Sequence, residues 1–143
     1  MLLLACMCYT TTFAQKITAD KVPAAVSTAF KTKFAQADKV SWEMEDGNYE
    51  VSFTNGGKKQ SAIFDKSGRW LETETGIAAS ALPKAVSDGI AKQFAGYAIK
   101  DVAQLETPDK GSIYEVELAK DKEHLDVQLS SKGEVLNKEV DKD

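Results

Sequence analysis

From Val40 to Glu45 apolar and polar side chains alternate, and they do so again where Tyr49, Val51 and Phe53 interleave with Glu50, Ser52 and Thr54. A period of two places alternate side chains on opposite faces of a half-buried strand. Asp46-Gly47 between these runs predicts a tight hairpin turn, and Asn55-Gly56-Gly57 predicts another, since Asn and Gly tolerate the positive φ that such turns need. Ala62 and Phe64 then point inward on a third strand, Asp65-Lys66-Ser67-Gly68 turns the chain, and Arg69 to Thr75 supplies a fourth. Ahead of all four, Val22, Val26, Phe30 and Phe34 are spaced as one face of a helix. Pro23 stands at its first turn, where a missing N–H costs nothing.

The same pattern returns later in the chain. A shift of sixty lays Val22 on Leu82, Pro23 on Pro83, Val26 on Val86, Phe30 on Ile90 and Phe34 on Phe94. Past the helix the shift becomes sixty-five, which lays Tyr49-Glu50-Val51 on Tyr114-Glu115-Val116, Phe64 on Leu129 and Gly68 on Gly133. The five extra residues fall between Glu106 and Gly111, in a loop where insertion is cheap. The expected fold class is therefore α+β: a tandem duplication of one helix plus a four-stranded antiparallel sheet, with the helices on one face of a curved sheet. The repeats run over residues 22–77 and 82–140 of a single domain, 15–143. Trp42, aligned with Val102, belongs to the core. Trp70 has only Val135 as its counterpart: it is core if a bulge at Gly68 pairs it with Phe64, and an exposed binding residue if the register slips by one.

Charge and cysteine content narrow the function. A net charge of −4, with lysines scattered among acids, excludes the clustered cationic footprint of a nucleic-acid binder. Residues 1–14, MLLLACMCYTTTFA, are expected to form an export signal cleaved after Ala14, with small residues at −3 and −1. The apolar stretch is shorter than the roughly 20 residues of a membrane-spanning helix, so no transmembrane segment is expected. Cys6 and Cys8 both lie inside the signal, which leaves the mature chain no thiol for a disulfide, a metal or a nucleophile. Leu3-Leu4-Ala5-Cys6 also resembles a lipoprotein box, in which Cys6 would carry a lipid anchor, although Leu ahead of the small residue is atypical.

An exported chain with paired Val22-Pro23 and Leu82-Pro83 helix starts, Tyr-Glu-Val strands at 49–51 and 114–116, and turns at Gly68 and Gly133 resembles the PepSY-like periplasmic proteins of Gram-negative bacteria. The resemblance covers about residues 20–140 and rests on the ordered repeat, no single motif being specific. It implies a β-lactamase-inhibitor-protein-like fold of two α-β4 units, a periplasmic location and no assigned activity. Binding or inhibition of a protein partner, such as a peptidase, is what the fold analogy implies.

Chemistry is scarce in the residues themselves. His124 is the single histidine and alternates with inward-facing Leu125, so it faces solvent; no catalytic residue is assigned and the chain is read as no enzyme. One imidazole without a second ligand makes no metal site, no loop has EF-hand spacing, and no cofactor is expected. What remains is the outer sheet face: Glu50 and Ser52, Ser61 and Ile63, Glu115 and Glu117, Asp126 and Gln128, joined by Trp70 if it is exposed. Such a face suits a basic protein surface. The alternative is a small ligand or cation bound by the acidic face or between the two halves, which needs a concave pocket with convergent polar groups.

Overall fold

A computed structural model describes residues 14–141. The expected signal, apart from its last residue Ala14, lies outside the described residues, and Cys6 with it. Nine strands form one sheet in simple sequence order, every neighbouring pair antiparallel. They are β1 (Gln15–Ile17), β2 (Asp38–Glu45), β3 (Asn48–Asn55), β4 (Lys58–Phe64), β5 (Trp70–Gly76), β6 (Ala98–Thr107), β7 (Gly111–Lys120), β8 (Glu123–Ser130) and β9 (Val135–Asp141). Two helices interrupt them, α1 (Ala24–Lys33) and α2 (Lys84–Gln93).

This architecture corrects the expectation of a duplicated helix-plus-four-strand unit. Among the described residues there are not two four-stranded sheets but one nine-stranded ladder with two ten-residue helices. Two features produce the difference. After α2 the chain returns alongside β5, so that Thr73 faces Glu106 and Gly76 faces Ala103, and backbone groups that would have formed two open edges pair with each other. The short β1 then extends the sheet by pairing Ile17 with Trp42. Alternation within a strand cannot report either pairing, because which edges meet is a long-range property.

Both helices lie on one face of the sheet, and each covers its own apolar cluster. Val26 and Phe30 of α1 pack with Trp42, Val51, Phe53, Ala62 and Phe64. Phe30 sits edge-on to Trp42 and Phe53, with ring centroids 5.3 and 5.1 Å away. Val86 and Ile90 of α2 cover Val102, Val116, Leu118, Val127 and Leu129, an aliphatic counterpart. Pro23 and Pro83 stand at the N-caps with φ of −56° and −55°, values the ring fixes in advance. Each helix also touches a glycine turn. Gly68 has φ +85°, and a Cβ there would come within 2.5 Å of the Ala25 carbonyl oxygen; Gly133 has φ +80° and backs onto Ala85 in the same way. A side chain at either position would push the helix off the sheet.

Trp70 pairs with Phe64 across a bulge and packs against the first cluster. Its Nε1 donates to Thr73 Oγ1 at 2.9 Å, and the Lys33 ammonium lies 3.8 Å from the ring centroid. The indole is therefore half-buried on the helix side of the sheet.

Candidate functional site

The face opposite the helices is made by the other half of each strand, and register assigns its residues. Across one row Glu43 faces Glu50, Glu50 faces Ile63 and Ile63 faces Glu72. A second row runs Ser52, Ser61, Glu74, Leu105, Ile113. A third runs Ala103, Glu115, Gln128, Asn137, and a fourth Asp101, Glu117, Asp126, Glu139. Eight of the nine residues named from the sequence, all but Trp70, share this face. What the sequence reading missed is β5: Glu72 and Glu74 alternate with Thr73 and Thr75 rather than with apolar residues, so no hydrophobic period marks which side faces out.

These carboxylates crowd one another. Partial burial pushes Glu72 up from 4.5 to about 7, and the charges of Glu74, Glu115 and Glu50 push in the same direction. Glu74 stands opposite the buried Leu105; desolvation raises it, followed by Glu115, Glu50 and Asp101. Glu50 is raised by desolvation and then by Glu43 and Glu45, with a hydrogen bond from Ser61 working against them. Glu115 is raised chiefly by desolvation, with Asp126 and Glu139 adding to it. Opposing this, the Gln128 amide donates from Nε2 to Glu115 Oε2 at 3.0 Å. Gln128, only 3% exposed, stands between Glu115 of β7 and Asn137 of β9. A raised carboxylate pKa means that the folded chain bears a cost to keep each charge in place.

Two concavities open on this face. A groove of about 390 Å³ lies at the β2–β5 end, lined among others by Lys39, Ser52, Lys59, Ser61, Glu74 and Gly76. A notch of about 220 Å³ near the β8–β9 turn is lined by Lys110, Ile113, Gln128, Leu136 and Asn137. His124 lies on the face beside Glu117, its Nδ1 3.4 Å from Oε1, with both side chains well exposed. Among the described residues no group of three His, Cys, Asp or Glu side chains converges to hold a metal ion, and no helix is long and apolar enough to cross a membrane.

Several solved structures share this fold. A BLIP-like protein of Bacteroides fragilis superposes with a TM-score of 0.76 at 24% identity, covering 85% of this chain and 89% of its own. A protein of Bacteroides eggerthii described as a putative periplasmic protein gives a TM-score of 0.78 at 21% identity, over 83% and 88% of the two chains. A DUF2874 family protein of Bacteroides uniformis gives 0.78 at 24%, over 82% and 88%. Residues 9–58 and 47–137 match the family described as "putative beta-lactamase-inhibitor-like, PepSY-like", and the chain belongs to that family. No curated protein matches it.

Proposed function

We propose that this protein is a non-enzymatic binding module of the bacterial envelope whose outer sheet face receives a basic surface of a protein partner. One observation carries the reading: the half-buried Glu50, Glu72 and Glu115 and the exposed Glu74 are held together, all at raised pKa, on the face opposite α1 and α2. Clustered like charge destabilises the free protein, and a cationic partner converts that cost into affinity. The family description and the periplasmic description of a structural neighbour point the same way.

The test begins with capture of partners from an envelope extract and continues with titration of the captured protein. Glu115→Lys combined with Glu117→Lys, two same-face positions on β7, should weaken binding about tenfold or more, chiefly through the association rate. Raising ionic strength should weaken the wild-type interaction as well. Equal affinities for wild type and variant at both ionic strengths would remove this face from consideration. His124→Ala should leave every biological effect unchanged; a loss with the fold intact would bring enzymatic chemistry back.

A further inference from the structure

The acidic strip has a basic corner. Between Asp38 and Ser41 the β2–β3 register shifts, and within that bulge Lys39 takes φ +51°, a left-handed conformation that a lysine adopts at a cost. The bulge brings Lys39 to the wall of the larger groove, where Lys59, placed opposite Thr54, forms another part of the lining. Arg69 pairs with Asp65 and Lys84 with Asp88, whereas among the described residues no ion pair engages Lys39 or Lys59. Ser52 and Ser61, a cross-strand pair, supply hydroxyls beside them, and Glu74 closes the far side. Gly76, also in the lining, leaves its outward position empty: a Cβ there would meet nothing within 4 Å.

We propose that this groove is a subsite for a carboxylate that the partner presents beside its basic stretch. The outer face then reads an acid and a base at a fixed separation, rather than positive charge alone. This rests on the reading of the face as a binding surface and adds its orientation. The carboxylate sits against Lys39 and Lys59, with the neighbouring cation over Glu74 and the strip beyond. Two strand spacings separate the middle of the lysine pair from β5, about 10 Å, which an extended peptide covers in about three residues.

The experiment is an NMR titration of the labelled protein at low salt with two capped peptides, acetyl-Lys-Lys-Gly-Gly-Asp-amide and the same peptide ending in Asn-amide. The Asp peptide should bind roughly fivefold more tightly, the yield of two exposed ion pairs of ordinary strength. Its extra shifts should fall on Ser52, Thr54 and Lys59. The combination of Lys39→Gln and Lys59→Gln should erase that advantage. Gly76→Leu, which fills the groove without a backbone clash, should erase it too, with a native amide spectrum showing the fold retained. Equal affinity of the two peptides, or an advantage that survives in these variants, would overturn the subsite and leave the acidic-face reading standing. If neither peptide perturbs the face, both fall.

Discussion

Replacing Glu72 by Gln tests whether the crowded carboxylates are a real energetic burden on the fold. The folded chain raises this group from 4.5 to about 7, so it holds the proton more tightly than the unfolded chain does. Stability from this group is therefore fully present below pH 4.5, declines as pH rises, and is lost above about pH 7. At 1.36 kcal/mol per pH unit the interval amounts to roughly 3 kcal/mol, and residual contact with water screens it to about 2 kcal/mol. Gln occupies nearly the same space and never ionises. It should thus stabilise the protein by about 2 kcal/mol at pH 8.5 and leave it nearly unchanged at pH 4.5. The assay is urea unfolding of wild type and variant across that pH range. With an m-value of about 2 kcal/mol per M, the midpoint should rise by about 1 M at pH 8.5. Parallel wild-type and variant profiles, or a gain below about 0.5 kcal/mol at pH 8.5, would show that water screens these groups and would refute the reasoning.

Two further substitutions probe the scaffold that holds the face. Gly68→Ala combines a left-handed backbone with a clash against the Ala25 carbonyl, so urea unfolding should show a loss of at least 2 kcal/mol, with more modest cost at the unobstructed Gly47. Phe30→Ala removes the ring that contacts Trp42, Phe53 and Phe64 together, and should cost about 3–5 kcal/mol by the same measurement while leaving the outer-face residues in place in the folded fraction.

Local structure was legible where one periodicity ruled one element. The helix faces through Val26–Phe30 and Val86–Ile90, and the inward sets Val51–Phe53 and Val127–Leu129, all stand where spacing places them. Asp46-Gly47 is a hairpin turn with positive φ at both residues, as its chemistry requires. The joining of β5 to β6 was not legible, because it depends on strands more than twenty residues apart and on edges that carry no distinct residue pattern. β1 was equally silent, since three residues are too few to display alternation. Trp70 was ambiguous for a definable reason: its side depends on one bulged residue between Phe64 and Thr73, and sequence does not record a bulge. Lys39 went unnoticed on the same account, its place in the groove being set by a bulge in β2.

The continuity of the sheet is also what makes its outer face a single electrostatic object. Glu50 lies on β3, Glu72 and Glu74 on β5, and Glu115 on β7. With two separate four-stranded sheets, the first three would sit on one unit and Glu115 on another, with water free to enter between them. Pairing of β5 with β6 brings Leu105 directly against Glu74 and places Glu115 within reach of both β5 glutamates. Glu115 is accordingly the largest charge effect on Glu74 and ranks just behind the neighbouring Glu74 in its effect on Glu72. The backbone ladder that satisfies two sheet edges thereby assembles the charge that a basic partner would neutralise. Fold and candidate site are coupled at this one seam. A change that loosens the β5–β6 ladder should lower the pKa of Glu72 part of the way toward its ordinary value by removing the effect of Glu115, while desolvation and Glu74 still hold it up.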